Sequence, residues 1–580
     1  MFVAWRLAHR VVLASVGAML SRRSESMVLA GAVAFLAASC VRYGLVRTDE
    51  YIGPAGPPTP AAEAPAKTAK GPSAPGAAAR PGEEPAAPSQ PAAMSLADAV
   101  PPEGPISLAV TQAVLLALQN NQALAVERTS PAIFRTFVEQ QRAVFDPVLT
   151  GALQRDRVRA KTQGPAHIAP TLGQADSIEV GATRFLPTGT QVDLAASTDI
   201  THSGAATREF FATRYGLTVT QALLRGYGTD VNLASLRQAR VDVLASQYEL
   251  RGFAEALVAQ VEQAYWDYVL AQRNIEIFTQ SLGLAEQQLR ETEERIRVGK
   301  LAEVERAAAE AEVALRREDL INANSALDTA KLVLLRLVNP AKADFWGRDV
   351  AILTPPVAAP EKLEDVQSHV RVAERLRPDL NQARLQVQRG DLEIVKTKNG
   401  LLPRLDLFLA LGKTGYSNSF DGSYSHMHGA GYDVLVGVTV EYPPLNRDAR
   451  AANQRAHLTR RQAAEAVANL AQLVEVDVRG AHIEVRRSEE QVAATAATRK
   501  AQEEKLRAET EKFRVGKSTT LLVAQAQRDL LASQISEVEA VVANLKAWVD
   551  FYRLEGSLLE RRGVQCPGRE PVELPPPGLP

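Results

Sequence analysis

The sequence has few cysteines, few aromatic residues and almost no net charge. Its 580 residues include 2 cysteines, 5% aromatic residues and a formal net charge of -1. Two cysteines cannot build a disulfide framework, and no Cys-X-X-Cys or Cys/His cluster has the spacing of zinc ligands. The balanced charge excludes the basic face that a nucleic-acid binder needs. We therefore expect no metal site, no cofactor and no nucleic-acid partner.

Long apolar runs are also missing. Beyond the N-terminal region and its tether, no stretch of 18 consecutive apolar residues occurs, so the rest of the chain has no predicted transmembrane helix. If this part of the chain spans a membrane, it must do so as a closed β-barrel. No Ser/His/Asp order, phosphate-binding glycine loop or carboxylate pair stands out from the surface charges. We therefore expect that the protein is not an enzyme.

The beginning of the chain resembles an export signal. Basic residues precede the uncharged apolar run 27–38, which is too short to span a bilayer. The stretch Leu36–Cys40 resembles a bacterial lipoprotein signal. We therefore predict a signal peptide over 1–39 and a lipid attached to Cys40. An ordinary signal peptide, or an uncleaved anchor, is the alternative.

Two segments have compositions that do not favour a folded core. Residues 40–104 are dominated by Ala, Pro and Gly, which predicts an extended tether. Residues 557–580 combine Pro, Gly and charged residues, and we predict a disordered tail. Cys566 lies in this tail, where we expect a free thiol with no role.

The body of the chain contains an internal duplication. Between Asp230 and Val298 apolar residues recur in alternating steps of four and three, which indicates a coiled-coil seam. A similar run occurs later, and the two runs end in identical tetrapeptides, Arg297–Lys300 and Arg514–Lys517. Two heptad runs in the same frame with the same ending indicate two copies of one unit.

Each copy is predicted to contain a half-length helix, strands, a long helix and a return helix. A helix of about 69 residues extends roughly 100 Å. Gly299 and Gly516 follow the last periodic residues, as is typical of helix C-termini. The predicted organisation is repeat 1 over 105–340 (half helix 107–143, strands 148–220, long helix 230–298, return helix 302–338), a linker over 341–363, and repeat 2 over 364–556 (half helix 364–398, strands 404–441, long helix 447–515, return helix 519–556).

Strand patterns occupy the same end of both repeats. In the second repeat, Leu405–Leu411 and Val434–Val440 flank an outer loop, and the first repeat has matching strands plus a surplus hairpin at 178–197. Whether that hairpin joins the other strands stays open, so a chain has four strands or six. Closed membrane barrels need at least eight strands, and a sheet edge in lipid leaves backbone groups unpaired. We therefore predict a mainly α fold with β strands, in which several chains share one barrel.

Three features of this body resemble TolC-like outer-membrane factors, the outer membrane efflux proteins. They are the opening helix from Ile106 to Asn121, the strand-to-helix corner Thr220–Gly228 and the two Arg-Val-Gly-Lys tips. The resemblance covers about 105–556. It implies a homotrimer in the bacterial outer membrane, with four strands per chain in a twelve-stranded barrel and a helical tunnel through the periplasm. It also implies a passive channel for tripartite efflux or type I secretion.

The resemblance assigns roles to particular positions. In that family the tips dock periplasmic adaptors that join the tunnel to an inner-membrane pump, and the corresponding residues are Val298, Gly299, Lys300, Val515, Gly516 and Lys517. A helix end with no docking role is the alternative. A member of the family narrows its tunnel with acidic residues after the second tip. The matching positions, Leu522 and Gln525, are uncharged, so we expect no acidic ring, while constriction by Leu522 stays open.

Two other interpretations compete with an export channel. His426, Met427 and His428 lie in the outer loop without a carboxylate or cysteine beside them, and we expect solvated loop residues rather than metal ligands. The alternative function is a periplasmic coiled-coil scaffold or adaptor with no membrane barrel. Adaptors carry one helical hairpin, so the duplication favours the channel. The cargo, whether drug, metal or secreted protein, stays open.

Overall fold

The computed structural model describes residues 105–163, 168–203, 209–339, 346–357 and 362–573. The predicted signal peptide at 1–39, the lipid site Cys40 and the tether at 40–104 lie outside the described residues. No described helix is both long enough and apolar enough to cross a membrane.

The described elements follow the order half-length helix, strands, long helix and return helix, twice. In the first repeat they are β1 (Ile106–Leu108), α1 (Val110–Asn120), α2 (Gln122–Arg142), β2 (Val148–Gln163), β3 (Ile168–Phe185), β4 (Thr190–Ser203), β5 (Glu209–Ala222), α3 (Thr229–Asn232), α4 (Ala234–Arg297) and α5 (Val304–Val338). In the second they are β6 (Val350–Ile352), α6 (Val366–Leu376), α7 (Pro378–Gly400), β7 (Arg404–Ser417), α8 (Phe420–Ser425), β8 (Tyr432–Glu441), α9 (Arg447–Arg514), α10 (Thr520–Glu555) and α11 (Leu558–Arg561).

The two long helices are α4 and α9, with 64 and 68 residues. At 1.5 Å per residue they extend about 96 and about 102 Å. Helix α5 packs along α4, and α10 packs along α9. Apolar residues at alternating steps of four and three, such as Leu250, Ala254 and Leu257, are buried. The heptad pattern therefore marks the side on which each long helix meets its neighbours.

Each half-length helix is broken into two helices, whereas the sequence pattern predicted one continuous helix. Between α1 and α2, the side chain of Asn121 accepts hydrogen bonds from the backbone N–H groups of Ala123 and Leu124, which starts a new helix. Between α6 and α7, Pro378 occupies the first turn of α7. Proline has no N–H to continue the preceding helix, so a break at this point costs little.

The main hydrophobic core lies where the half-length helices, α4 and the ends of the return helices meet. Strands β1 and β6 pair in parallel beside it, with Ile106 opposite Val350. Tyr265 and Tyr268 of α4 donate hydrogen bonds to backbone oxygens of these two strands, both at 3.1 Å. The predicted linker thus contributes a strand that is tied to the middle of a long helix.

The other six strands form one antiparallel sheet in the order β2-β3-β4-β5-β7-β8. Strands β5 and β7 join the two repeats, with Leu217 opposite Leu411. The surplus hairpin predicted at 178–197 lies inside this sheet as parts of β3 and β4, between β2 and β5. In the described residues this antiparallel sheet therefore has six strands, two more than the four implied by the resemblance.

The middle of the sheet has one apolar face and one polar face. The pairing puts the following apolar residues on one face: Leu149, Leu153, Ile178, Val180, Val192, Leu194, Leu217, Val219, Leu407, Leu409, Leu411, Val434, Val436 and Val438. The opposite face carries carboxylates, among them those of Glu179, Asp193, Asp199, Asp406 and Asp433. On the polar face Arg214 pairs with Asp433 at 2.6 Å.

The C-terminal segment 557–573 is ordered, although a disordered tail was predicted there. It contains α11, and Leu558 and Leu559 are fully buried. Further along, the backbone N–H of Val572 donates to the side-chain oxygen of Asn381 at 3.0 Å. Composition was misleading because the segment gains its burial from helices distant in sequence. Residues 574–580 lie outside the described part of the chain.

Candidate functional site

The two Arg-Val-Gly-Lys tips adopt the same turn. After α4, the N–H of Lys300 donates to the carbonyl of Arg295 at 2.8 Å, and after α9 the N–H of Lys517 donates to that of Lys512 at 2.8 Å. Gly299 and Gly516 have φ angles of 73° and 75°. These bonds define the C-terminal motif in which glycine takes the left-handed conformation. The identical tetrapeptides therefore build identical helix ends.

Side-chain contacts bring the two tips together. The guanidinium of Arg295, near the end of α4, lies 4.5 Å from the ring centre of Phe513, near the end of α9. At the start of the return helices, the hydroxyl of Thr520 donates to the carboxylate of Glu305 at 2.8 Å. Neither contact could be predicted from the sequence, since each joins residues more than 200 positions apart. The six tip residues thus belong to one composite surface.

This tip surface is exposed and partly apolar. The side chains of Val298 and Val515 are 60% and 68% exposed, and both tip lysines are exposed. No described atom lies within 4 Å of the position that a Cβ atom would take on either tip glycine. Other exposed apolar residues continue the surface onto the return helices, namely Val304 and Leu521. Backbone from another molecule therefore has space to approach both turns closely.

Leu522 and Gln525 lie three residues apart on the first turns of α10, and both are exposed. The hydroxyl of Thr519 accepts a hydrogen bond from the N–H of Leu522 at 3.4 Å, which caps the helix at this point. Further along, Asp529 pairs with Lys505 of α9 at 2.6 Å. The exposed side chains at the two predicted constriction positions are therefore one apolar group and one uncharged polar group.

The second tip has an additional capping network. The hydroxyl of Ser518 donates to the carboxylate of Glu509 at 2.9 Å, and Lys512 donates to the same carboxylate at 2.5 Å. These hydrogen bonds, that from Lys512 first, hold the pKa of Glu509 below its ordinary value. The first tip has Leu301 and Ala302 where the second has Ser518 and Thr519, so this part of the second tip lacks a match in the first.

A buried group of charges in the middle of α4 was not predicted. Arg251 is 1% exposed, and its guanidinium donates to Glu255 at 3.2 Å and to Glu560 of α11 at 2.7 Å. Burial raises the pKa of Glu255 to about 8, more than the attraction of Arg251 lowers it. Two helical turns beyond Glu255, buried Glu262 accepts two hydrogen bonds from Arg562. These pairs attach the C-terminal segment to α4.

The outer loop between β7 and β8 gives no support to a metal site. His426 Nδ1 lies 2.9 Å from the carbonyl oxygen of Tyr416. Within the part of the chain that the structure describes, no three His, Cys, Asp or Glu side chains are grouped as metal ligands would be. The best-defined features of the candidate site are the two exposed tip turns and the apolar side chains beside them.

Comparison with known proteins identifies relatives of the chain. Residues 370–557 match the family described as outer membrane efflux protein. This match covers the second repeat from its half-length helix to its return helix. No curated protein sequence matches the chain significantly.

Solved structures share the fold. The open state of the MtrE outer membrane channel of Neisseria gonorrhoeae is 17% identical with a TM-score of 0.57, over 77% of this chain and 89% of that one. The CmeC outer membrane channel of Campylobacter jejuni is 14% identical with a TM-score of 0.55, over 82% and 94% of the two chains. A membrane protein from Pseudomonas aeruginosa is 21% identical with a TM-score of 0.59, over 77% and 92%. At such identities the likeness establishes the fold.

Proposed function

We propose that the chain is an outer-membrane export channel, on the premise that residues 370–557 match the outer membrane efflux protein family and that solved outer-membrane channels share its mainly helical fold with an antiparallel sheet. It serves a tripartite efflux or type I secretion system as a passive conduit. Three copies share one barrel in the outer membrane, and their long helices form a tunnel in the periplasm.

The observation that carries this proposal is a sheet that one chain leaves open. In the described residues, β2 pairs only with β3, and β8 pairs only with β7. Both edge strands carry exposed apolar side chains on the same face, among them Leu153 at 79% and Val436 at 64%. An apolar face is stable in lipid. An open sheet edge in lipid is not, because each backbone N–H or C=O group without a hydrogen-bond partner costs several kcal/mol. Further copies remove that cost by pairing with both edges.

The tip surface is the proposed docking site for a periplasmic adaptor that leads to an inner-membrane pump. Support comes from the exposed Val298 and Val515, from the open space at Gly299 and Gly516, and from Lys300 and Lys517 beside them. Glycine permits close backbone approach, and exposed valines offer apolar area to bury. Leu522 and Gln525, on the adjoining helix turns, are proposed to line the tunnel entrance.

Export through the signal peptide 1–39 and lipid attachment at Cys40 complete the proposal. A lipid chain on Cys40 would add a second membrane attachment beside the barrel. Growth with radiolabelled palmitate should label the wild-type chain and leave Cys40→Ser unlabelled. Equal labelling of the two would remove Cys40 from the proposal without affecting the channel.

Gel migration tests the channel. Membranes are extracted with detergent, and the samples are run on a denaturing gel with and without heating. A shared barrel should keep the chains together as an oligomer in the unheated lane and release single chains after boiling. A periplasmic scaffold would instead leave the membrane in a salt wash and migrate as a single chain in both lanes. That result would overturn the proposal.

A further inference from the structure

The hairpin of β3 and β4 has no counterpart in the second repeat, yet it is fully integrated into the sheet. Strand β3 pairs with β2 from Val148↔Thr183 to Gln163↔Ile168, and β4 pairs with β5 from Thr190↔Gln221 to His202↔Glu209. A fold with this hairpin outside the sheet would have to break both ladders. The two strands therefore occupy places between the strands that the other repeat also has.

The turn between β3 and β4 is anchored at the helical end of the sheet. The side-chain nitrogen of Asn232 donates to the carbonyl oxygens of Pro187, at 3.0 Å, and Gly226, at 2.8 Å. The N–H of Gly228 donates to the carbonyl of Thr188 at 3.2 Å. Gly189 has a φ of 87°, and a Cβ atom there would lie 2.2 Å from the Gly226 oxygen. The turn is thus built against the strand-to-helix corner rather than lying loose.

The hairpin continues both faces of the sheet. Val192 and Leu194 lie in the same rows as Leu409 and Leu411, so the apolar face runs across β4 without interruption. The alternate residues Asp193 and Asp199 lie on the polar face. A hairpin folded over the mouth of a channel, with water on both sides, has no reason to keep an apolar face in register with the lipid-facing strands.

We propose that each chain contributes six strands to the barrel, so that three chains close an eighteen-stranded barrel instead of a twelve-stranded one. The proposal rests on the proposed function. The occupant of each open edge is a second copy of this chain, β8 of one copy pairing with β2 of the next. These strands run in opposite directions along the sheet, so the seam is antiparallel like every other pair in it.

The extra strands widen the passage. With strands about 4.8 Å apart and tilted by about 40°, twelve strands give a backbone diameter of about 24 Å and eighteen give about 36 Å. Side chains narrow both passages by a similar amount, so the open cross-section grows about two- to threefold. The wider barrel fits bulky cargo, such as an extended or partly folded polypeptide, as well as small molecules.

Cysteine labelling tests whether the hairpin lies in the membrane wall. Leu194 and Leu411 both face Leu217 in the sheet, so they share one depth. Leu194→Cys and Ala195→Cys probe β4, and Leu411→Cys and Ala410→Cys are the matched control in β7. A membrane-impermeant maleimide should label the two former alanine positions roughly tenfold faster than the two former leucine positions, because a thiol in lipid does not ionise. Wild-type background should be small, since burial raises the pKa of Cys566 to about 11.

The two pairs of cysteine variants distinguish a failure of this inference from a failure of the proposed channel. Alternating labelling in β7 with equal labelling of Leu194→Cys and Ala195→Cys would place the hairpin outside the wall and overturn this inference alone. Equal labelling in both pairs would overturn the proposed channel as well. Electron cryomicroscopy of the detergent-purified full chain gives a direct count, and eighteen strands are expected. A trimer with a twelve-stranded barrel would overturn the inference and leave the channel in place.

Discussion

At the residue scale, the backbone conformation at the tips favours glycine. Gly516 has a φ of 75° and Gly480, within α9, has helical geometry, while neither has an atom within 4 Å of a Cβ position. Gly516→Ala should lower the free energy of unfolding by about 1 kcal/mol because a Cβ atom is strained in the left-handed region. Gly480→Ala should raise it by about 0.5–1 kcal/mol. Thermal unfolding compares the two, and an equal effect would contradict the assigned turn.

Also at the residue scale, Glu255 should make stability depend on pH. Its folded pKa of about 8 lies above the ordinary value of 4.5. Between these values the unfolded chain loses the proton while the folded chain keeps it, so stability falls as pH rises from about 5 to 8. Glu255→Gln keeps the shape and removes the titration. Across this range the melting temperature of the wild-type protein should fall more steeply with pH than that of the Glu255→Gln variant. Parallel curves of melting temperature against pH would refute the assignment.

At the element scale, ion pairs hold the C-terminal segment against α4. Arg562 binds Glu262, whose side chain is 1% exposed, whereas Arg569 is 74% exposed and lies 3.8 Å from Glu560. Arg562→Ala leaves a buried carboxylate without its main partner and should cost about 3 kcal/mol of stability. Arg569→Ala is the control from the same segment, with an expected change below about 0.5 kcal/mol. Similar losses of unfolding free energy in the two variants, measured by chemical denaturation, would show that the buried ion pair does not specifically stabilise the segment.

At the scale of the whole molecule, the two faces of the sheet should differ in their tolerance of charge. Val436 and Leu435 are adjacent on β8, exposed by 64% and 56% in a single chain, and lie on the apolar and polar faces. Val436→Arg puts a charge into lipid at about 2–4 kcal/mol per chain, while Leu435→Arg puts it into water. The unheated oligomer band should weaken for the first variant and persist for the second. The reverse order would mean that the faces are assigned the wrong way round.

Local sequence patterns predicted much of the fold. Heptad spacing predicted the two long helices to within a few residues, because a helix buries one stripe at its own period regardless of which element covers it. The glycine after each Arg-Val was enough to predict the tips, since only a local backbone conformation is involved. Alternation in the β segments likewise indicated strands. The breaks at Asn121 and Pro378 were missed although their signals are local, because the apolar periodicity continues across both.

The sequence alone therefore determined the duplication, the helices, the turns at their ends and the presence of strands, since each depends on residues close together along the chain. Only the tertiary structure decided that the hairpin of β3 and β4 lies within the sheet, that residues 557–573 are held by α4, and that Arg251 and Glu262 are buried with partners. Strand pairing and burial join residues hundreds of positions apart, and their energy depends on which surfaces meet. The spacing of residues within a short segment does not determine which surfaces meet.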